Sequence, residues 1–378
     1  MNTLMLIALA AFGGSVVLAT VLGACRQRIA QARALAHASD DAPSPVSLLV
    51  PVRDGGEDLT GVLQDLHAQC AAVPGSEVIV IDDHSTDGSR ARVEAMAARW
   101  PALRCIPNNG EGKKAAITTG VQQARNELVL LTDADAHGGR ERARCVAAHH
   151  ARSRWAMLVL PVSTTSDGTF IGWLQAEEQT ALQGVALGAA LGGSPVLANG
   201  ANLAFTRAAF LAVGGYQGDR WASGDDQFLL ERMRRAGRPV ACLADPAAMV
   251  TVTCAPGLRA AWSQRLRWAG KMRGAGAGRS LLMAAAVLYP WVLLLLTVRT
   301  DWTSAVNQGF FRAILLLAGA WLLWLLPVLL LVGEAKRFFG ERPTPLRSMI
   351  ALLLFTVYAP VIAIAALVVR PRWKGRRV

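Results

Sequence analysis

Long apolar segments near the two ends of the chain constrain its fold more than any other feature. A helix needs about 20 mostly apolar residues to cross a bilayer, and four stretches approach that length: Leu4–Leu22, Leu281–Val298, Ala313–Val332 and Met349–Val369. The mean hydropathy of +0.32 reflects these segments, because residues 45–250 carry most of the acids. We therefore expect a membrane protein with one sizeable globular domain inserted after its first helix.

The formal net charge is +12 at pH 7, and many of the basic residues cluster at the ends of the apolar segments. Such placement is typical of the cytoplasmic side of membrane spans, where basic side chains meet anionic lipid. No helix-turn-helix, zinc-finger or RNA-binding signature accompanies them, so we expect no nucleic-acid partner. The sequence predicts a multi-pass protein of the cell inner membrane whose globular domain is cytoplasmic. The clustered residues are Arg26, Arg28, Arg33, Lys336, Arg337, Arg342, Arg347, Arg370, Arg372, Lys374, Arg376 and Arg377.

The six cysteines show no Cys-x-x-Cys spacing, which is typical of a reducing cytoplasm, where free cysteine packs as a small apolar residue. The stretch Leu22–Cys25 resembles a bacterial lipoprotein cleavage box. However, Met1–Thr3 ahead of the apolar segment carry no basic side chain, whereas arginines follow Cys25. This asymmetry favours an uncleaved anchor whose carboxyl end lies in the cytoplasm.

The number of membrane crossings is left open by the sequence. Three further spans after a cytoplasmic domain would place the basic tail outside, against the positive-inside tendency. Pro290, Pro327 and Pro360 each interrupt one of the three segments. Either one segment is interfacial or re-entrant, or the tail departs from the tendency; our candidate for the interfacial segment is the shortest, Leu281–Val298.

The central region alternates short apolar runs with helical patterns. Apolar runs begin near Val46, Glu77, Leu103 and Leu128, and stretches of helical periodicity separate them. Strands that alternate with helices imply right-handed crossovers. The predicted fold class is therefore α/β, with a mostly parallel sheet and flanking helices.

Acids follow two of these predicted strands. Asp82-Asp83 comes after the second strand, and Asp133-Ala134-Asp135 after the fourth. Open α/β sheets bind ligands at the carboxyl ends of their strands. Two carboxylates one residue apart cannot both be buried without partners, and a hard divalent cation that also binds a substrate diphosphate resolves this conflict. An isolated Asp-x-Asp is equally typical of a solvated turn.

The sequence lacks the phosphate loops that are typical of other nucleotide-binding folds. No Gly-x-Gly-x-x-Gly follows the first strand, and Gly110–Lys114 has the wrong glycine spacing and a lysine where a phosphate loop has Ser or Thr. Acids rather than glycine-rich turns end the first strands. This favours a nucleotide held by its base and ribose, with its diphosphate bridged by metal.

Four motifs then occur in one order: Val80–Gly88, Asp133–Asp135, Ser223–Asp226 and Gln264–Trp268. Together they resemble the family-two glycosyltransferases, enzymes of GT-A fold that include cellulose, chitin and hyaluronan synthases and lipid glycosyltransferases. The likeness covers roughly residues 46–273. It implies a metal-dependent, inverting hexosyltransferase with a nucleotide-diphosphate sugar as donor, a UDP-sugar favoured.

The resemblance also implies roles for single residues. Asp82 and Asp83, chiefly Asp83, match the acids that contact the uracil and ribose of the donor; the alternative is a turn whose side chains bond their own backbone. Asp133 and Asp135 match the ligands of Mg²⁺ or Mn²⁺. Lys113 matches a lysine that approaches the donor, or is a solvated charge at a helix start. The nucleotide-sugar-binding residues implied in this way are Pro51, Asp54, Asp82, Asp83, Lys113, Asp133, Gly200 and Asn202.

Asp226 is the catalytic residue that the resemblance implies. It matches the base that takes the proton from the acceptor hydroxyl, and a positioned base contributes about 10²–10⁴-fold in rate. The other reading of these acids, that they stabilise a helix over Gln227–Arg235 through its dipole, suits Asp225 better. Ser223 is a candidate cap for that helix. Members of the family often carry Glu at the position of Asp225, so the Asp of this chain is a mild departure from the family pattern.

The resemblance also implies residues that contact the acceptor. Gln264, Arg267 and Trp268 match an element beside the acceptor channel, and Arg267 is a candidate to hold the diphosphate. A basic, aromatic helix lying on the membrane explains the same residues. Glycine at position 200 permits close approach of the backbone to a sugar. His137 has no role in the resemblance.

The sequence therefore predicts transfer of a sugar to a membrane-associated acceptor, a lipid or lipid-linked molecule. A processive polysaccharide synthase is the alternative, although at most four spans leave little material for a secretion channel. Further rivals are a non-catalytic membrane subunit that keeps the fold and a basic membrane-surface scaffold. In chain order we expect an anchor (1–25), a basic linker (26–45), the GT-A domain (46–253), an interfacial amphipathic segment (254–280), a transmembrane region (281–370) and a basic tail (371–378).

Overall fold

The computed structural model describes residues 3–35, 43–219, 224–271, 277–299, 308–369, 372–373 and 376–377. The chain forms two compact units. The first, here called the helical unit, comprises Met1–Ala30, Thr169–Gly188 and Ala255–Val378. The second, here called the α/β unit, comprises Gln31–Gly168 and Ala189–Cys254.

The described elements, in chain order, are α1 (Thr3–Leu35), β1 (Val46–Val52), α2 (Asp58–Ala72), β2 (Glu77–Asp82), α3 (Ser89–Ala97), β3 (Leu103–Pro107), α4 (Lys113–Gln123), β4 (Leu128–Thr132), β5 (Ala136–Gly138), α5 (Arg142–Ser153), β6 (Met157–Val159), β7 (Val162–Thr165), α6 (Phe170–Leu191), β8 (Asn202–Thr206), α7 (Arg207–Ala212), α8 (Asp225–Arg235), β9 (Val240–Cys242), a 3₁₀ turn (Pro246–Ala248), β10 (Val250–Thr253), α9 (Gly257–Lys271), α10 (Ala277–Arg299), α11 (Gln308–Phe338), α12 (Pro345–Val368), β11 (Arg372–Trp373) and β12 (Arg376–Arg377).

A seven-stranded sheet organises the α/β unit, with the strand order β3-β2-β1-β4-β8-β6-β9. The strands β1 to β4 are parallel to one another. Strand β8 runs antiparallel to both of its neighbours, and β9 is parallel to β6. A three-stranded sheet, β5-β10-β7, accompanies it. The predicted α/β class with a mostly parallel sheet is confirmed.

The central strands are apolar on both faces because helices cover both sides of the sheet. Side chains alternate between the faces of a strand, so Leu48 and Val50 join a buried cluster with α2 and α5, whereas Leu49 joins a second cluster with α4 and α8. Burying one such side chain contributes about 1.5–3 kcal/mol. Strands buried on two faces appear as continuous apolar runs, which is the pattern that the sequence carries.

Two predicted boundaries differ from the structure. Helix α1 continues to Leu35, so residues 26–35 of the predicted linker are helical; Ala, Gln, Arg and Leu dominate this stretch and are good helix formers. Helix α8 begins at Asp225, two residues before the predicted start at Gln227. Both acids of the Ser223–Asp226 motif therefore lie in the first turn of a helix.

Within the described residues, three helical stretches are long and apolar enough to cross a membrane: Met5–Leu35, Phe311–Phe338 and Pro345–Val368. Three of the four predicted apolar segments lie on them. The fourth, Leu281–Val298, lies on α10, where the described apolar stretch Ala284–Arg299 is shorter than a span.

Two acids of α6 are buried in the helical unit and paired with cations. Glu177 binds Lys336 of α11 and accepts a hydrogen bond from Ser348 Oγ of α12 at 2.8 Å. Glu178 binds Arg265 of α9 and accepts from Tyr358 Oη of α12 at 2.7 Å. Because an unpaired buried carboxylate is very costly, these pairs fix α6 against three other helices of the same unit.

Candidate active site

Acids at the carboxyl ends of β1 and β2 hold the neighbouring loops together. Asp83 is 3% exposed, and its Oδ1 accepts hydrogen bonds from Asn108 Nδ2 at 2.7 Å and from the Gly112 amide at 2.9 Å. Asp82 Oδ1 accepts from the Ser85 amide in its own turn at 3.2 Å. Asp82 therefore fits the alternative interpretation, a turn whose side chain bonds its own backbone. Asp83 instead orders the loop that ends at Lys113.

Asp54 joins the first two strand ends. Its backbone is left-handed (φ +50°), its Oδ1 accepts from the Thr86 amide at 2.7 Å, and its own amide donates to Ser85 Oγ at 3.0 Å. Pro51 lies in β1 opposite Ile81 of β2. The loops after β1 and β2 therefore form one continuous rim at this edge of the sheet.

Lys113, the first residue of α4, connects two predicted acid motifs. Its Nζ lies 2.7 Å from Asp133 Oδ1 and 3.5 Å from Asp225 Oδ2. Burial lowers the pKa of Lys113, but the charges of Asp133 and Asp225 outweigh it and raise the pKa well above its usual range. The side chain is 22% exposed. The alternative reading of a solvated charge at a helix start is therefore wrong for this lysine.

Asp133 and Asp135 differ in their surroundings. Asp133 has a 32% exposed side chain, and Asp135 is exposed. Loss of hydration raises the pKa of Asp133 to about 6; Lys113 opposes this rise, and the charge of Asp135 adds to it. The two carboxylates thus interact, and both retain access to solvent.

Gly200 brings the loop before β8 against the first turn of α8. Its amide donates to Asp226 Oδ2 at 3.3 Å. A Cβ at this position would lie 3.0 Å from both Asp225 Oδ2 and Lys113 Nζ. Glycine is needed here for close approach of the backbone rather than for an unusual φ. Asp226, which is 9% exposed, also accepts from the Gln227 amide at 2.8 Å, so its carboxylate is held in place.

The oxygen ligands that Asp133 and Asp135 offer suit a hard cation. Mg²⁺ and Mn²⁺ prefer oxygen ligands, and Mg²⁺ is commonly held by one or two carboxylates together with water and substrate phosphate. Asp133 and Asp135 supply two such carboxylates. In the described parts of the chain, no group of three His, Cys, Asp or Glu side chains is placed to hold a metal by itself. The residues present therefore fit a cation that completes its coordination with substrate oxygens.

Asn202 requires a correction, because its side chain is fully buried in the core. Its Nδ2 donates to the carbonyl oxygens of Pro161 and Ala248 at 2.7 and 2.9 Å, and its Oδ1 accepts from Arg142 Nε at 3.0 Å. All its polar atoms are thus engaged inside the fold. We remove Asn202 from the predicted sugar-binding residues and retain Gly200.

Arg142 is the site-supporting residue that sequence reasoning missed. This buried guanidinium donates to Asn202, to Thr132 Oγ1 at 2.7 Å and to the Leu131 carbonyl at 3.0 Å, and burial lowers its pKa to about 9. It fixes the end of β4, directly before Asp133, to the start of β8. A basic residue in a helix usually indicates a solvated face, so no local signal marks it.

Replacing Arg142 with Ala should destabilise the α/β unit. Three buried acceptors would lose their donor, and each such loss costs about 1 kcal/mol or more. For a domain of this size, a total on the order of 3 kcal/mol corresponds to a fall in melting temperature of roughly 6–12 °C. Thermal unfolding of detergent-solubilised protein measures this, with Arg140→Ala on the exposed preceding turn as control. Equal melting temperatures for the two variants would contradict the expected result.

The remaining predicted residues lie on α9 of the helical unit, at the surface of the α/β unit, or outside the described residues. Gln264, Arg267 and Trp268 are partly buried on α9 of the helical unit, and burial lowers the pKa of Arg267. His137 Nδ1 lies 2.9 Å from Asp65 Oδ2 at the surface. Ser223 lies outside the described residues.

Comparison with known proteins identifies the family and the fold. The profile of the family described as "Glycosyltransferase like family 2" matches residues 42–271. An undecaprenyl-phosphate 4-deoxy-4-formamido-L-arabinose transferase of Pseudomonas fluorescens Pf-5 is 33% identical over 93 residues, which is 24% of this chain and 27% of that protein. The transferase of the same name from P. fluorescens SBW25 is 34% identical over the same length. The chain thus matches about a quarter of the length of these relatives.

Among solved structures, a mannosyltransferase from Pyrobaculum calidifontis in complex with GDP-Man and Mn²⁺ is similar in fold. The likeness covers 94% of this chain and 99% of that one, with a TM-score of 0.50 and 22% identity. The fold of the α/β unit is that of GT-A glycosyltransferases. Since the matching family profile spans more than half of the chain, the protein belongs to glycosyltransferase-like family 2.

Proposed function

We propose that the protein transfers a sugar, with inversion at the anomeric carbon, from a nucleotide-diphosphate sugar to a lipid or lipid-linked acceptor. A UDP-sugar is the favoured donor. The single observation that carries the proposal is the convergence of Lys113, Asp133, Asp225, Asp226 and Gly200 within the α/β unit. Three carboxylates, the Lys113 ammonium group and a glycine without a side chain lie together there. This is the edge of the sheet that holds the carboxyl ends of the parallel strands, where α/β sheets bind ligands.

On the donor side, Asp133 and Asp135 would hold Mg²⁺ or Mn²⁺. Bound there, the ion supplies charge neutralisation for the departing nucleoside diphosphate. Lys113 keeps its charge beside Asp133 and can donate to a phosphate oxygen. Asp83 and Asp54 hold the rim where the base and ribose would bind, and Gly200 leaves room for the sugar.

On the acceptor side, Asp226 is the proposed base. An alcohol is a poor nucleophile near neutral pH, so the attacking hydroxyl must lose its proton to a positioned group. The Gly200 amide and the Gln227 amide hold the two oxygens of Asp226, which orients the carboxylate. Asp225 differs in facing Lys113, and this suits it to charge balance rather than to proton transfer.

The lipid acceptor is supported by two observations. The described helices include three stretches with the length and composition of membrane spans, and the partly matching relatives carry undecaprenyl phosphate in their names. We assign Gln264, Arg267 and Trp268 to the acceptor and the diphosphate. Arg267 can pair with phosphate oxygens, and Trp268 offers a flat apolar face.

The inner membrane, with a cytoplasmic α/β unit, is the proposed location. If α1, α11 and α12 are the crossings and α10 is interfacial, two crossings follow the α/β unit and return the basic tail to the cytoplasmic side. That arrangement agrees with the positive-inside tendency.

Incubation of membranes carrying the protein with a panel of radiolabelled nucleotide sugars tests the function. Label that enters the organic phase on lipid extraction is expected, at a level that requires Mg²⁺ or Mn²⁺. Label in a high-mass polymer would replace lipid transfer by the alternative of a processive synthase. Membranes carrying the Asp226→Asn variant serve as control, and equal label in both would remove the proposed base.

A further inference from the structure

The Lys113 ammonium group binds one of the carboxylates that the proposed divalent cation would also use. Its Nζ lies 2.7 Å from Asp133 Oδ1, which is the distance of a charge-assisted hydrogen bond. Asp133 is at the same time one of the two carboxylates whose oxygens suit Mg²⁺ or Mn²⁺. One carboxylate therefore faces two positively charged groups, one from the chain and one from solution.

The position of the ammonium group is well determined. Asp225 Oδ2 lies 3.5 Å from the same nitrogen. A Cβ on residue 200 would lie 3.0 Å from it, so the backbone at Gly200 is packed close to the ammonium group. Lys113 begins α4, and Ala116 and Ile117 of the same helix are fully buried. The backbone from which the lysine extends is therefore fixed as well.

The lysine acts on the carboxylate in surroundings from which much of the water is excluded. Asp225 is buried, and the side chains of Lys113 and Asp133 are partly buried. Attraction between opposite charges and repulsion between like charges both grow as water is removed from around them. A divalent cation beside Asp133 is therefore repelled by the ammonium group and must compete with it for the carboxylate.

Asp135 does not offset this competition. It is exposed, so water screens its charge and weakens its attraction for a cation. Within the described ranges, no group of three His, Cys, Asp or Glu side chains is placed to hold a metal. A cation gains little from Asp133 and Asp135 alone as long as Lys113 is paired with Asp133.

We propose that Lys113 makes cation binding depend on the nucleotide. Its ammonium group pairs with Asp133 and weakens the binding of a divalent cation alone. When a nucleoside diphosphate binds, the ammonium group pairs with a phosphate oxygen instead and leaves Asp133 to the cation. This role of Lys113 rests on the proposed function, in which Asp133 is a cation ligand. By linkage, the cation and the nucleotide strengthen the binding of each other by the same factor.

Lys113→Met tests the role of the charge, because methionine is unbranched like lysine and is neutral. The EPR signal of free Mn²⁺ measures Mn²⁺ binding to the full-length protein in detergent, with MnCl₂ alone and then with UDP, after correction for Mn²⁺ bound by UDP itself. Without UDP, the variant should bind Mn²⁺ about 10-fold more tightly than the wild type, within the range of about 5–150-fold that is usual for coupled sites. With UDP the two dissociation constants should be similar. The factor by which UDP tightens Mn²⁺ binding should therefore fall about 10-fold in the variant.

Three further variants serve as controls. Lys113→Arg keeps the charge and should bind Mn²⁺ alone as weakly as the wild type. Arg90→Gln removes one positive charge from an exposed i,i+4 pair with Glu94 on α3 of the same unit, and it should leave Mn²⁺ binding unchanged. Lys113→Gln is a second neutral variant whose amide can still donate to Asp133, which protects the fold if Lys113→Met lowers the melting temperature. It should also bind Mn²⁺ alone more tightly than the wild type.

Two results would overturn the role of Lys113. One is Mn²⁺ binding without UDP that stays within twofold of the wild type in the folded neutral variants. The other is equal tightening in Lys113→Arg or in Arg90→Gln, because the charge at position 113 would then not be the cause.

The two proposals fail in different ways. If the wild type binds no Mn²⁺ in the presence of UDP, or binds it as well after Asp133→Asn, the cation site of the proposed function is contradicted, and the role of Lys113 falls with it. If Mn²⁺ binding requires Asp133 but the neutral variants at position 113 leave it unchanged, only the role of Lys113 is contradicted.

Discussion

Asp226→Asn is expected to reduce sugar transfer by about 10²–10⁴-fold, the usual contribution of a positioned general base. The amide has the size of the carboxylate but cannot take up a proton at neutral pH. Its oxygen can still accept the shorter of the two bonds, from the Gln227 amide at 2.8 Å, so the start of α8 should keep its arrangement, and only the longer bond from the Gly200 amide at 3.3 Å is lost. Donor binding should therefore be nearly unchanged. Transfer kinetics and a thermal-shift titration with UDP and Mn²⁺ measure the two effects separately.

Glu231→Gln is the control for this variant. Glu231 lies on α8 and pairs with the exposed Arg235, an i,i+4 surface contact worth at most about 0.5 kcal/mol. Its loss should leave transfer unchanged. If Asp226→Asn transferred sugar as fast as Glu231→Gln, another group would have to be the base.

Asp133→Asn is expected to cause a loss of similar size through the cation. Loss of an ion that stabilises developing charge is worth several kcal/mol, which corresponds to about 10³-fold in rate. Lys113 pairs with both Asp133 and Asp225 in the wild type. The variant removes the ion pair with Asp133, which weakens the link between α4 and the end of β4. Addition of EDTA to the wild type should have the same effect on transfer, and restored Mn²⁺ should reverse it.

A binding measurement separates this role from general damage. In the wild type, Mn²⁺ and UDP together should raise the melting temperature more than either alone, because a ligand that binds only the folded state stabilises it. Asp133→Asn should lose that joint effect, and Glu141→Gln, which alters an i,i+3 pair with Arg144, should keep it. A full joint response in Asp133→Asn would exclude Asp133 as a ligand.

The strands and their polar ends could be predicted because their signals are local. An apolar run followed by acids, as at Leu128–Asp135, reports a buried strand and a functional edge without any knowledge of the partners. Each of the first four strands begins at its predicted residue. The acid pair likewise marks the end of β2, which Asp82 closes and Asp83 follows.

The partners of buried polar side chains could not be predicted. Arg142 and Asn202 are 60 residues apart in sequence, yet they bond to each other and to the end of β4. No periodicity within a helix or strand encodes such a contact. For this reason the sequence alone predicts that Asn202, two residues after Gly200, binds the sugar, whereas it begins a strand buried in the core.

The course of the chain between the two units bears on how the protein can be handled. Helix α6 belongs for most of its length to the helical unit, yet the α/β unit supplies the sequence before and after it. A fragment trimmed to residues 46–253 would retain Glu177 and Glu178 and discard Lys336 and Arg265, their counter-charges. Trimming would also uncover the surface of α6 that faces Leu331 and Ala335 of α11 at Gly184, and exposed apolar surface favours aggregation. Soluble truncation is therefore a poor route to purified enzyme, and extraction of the intact chain in detergent or nanodiscs is the better one.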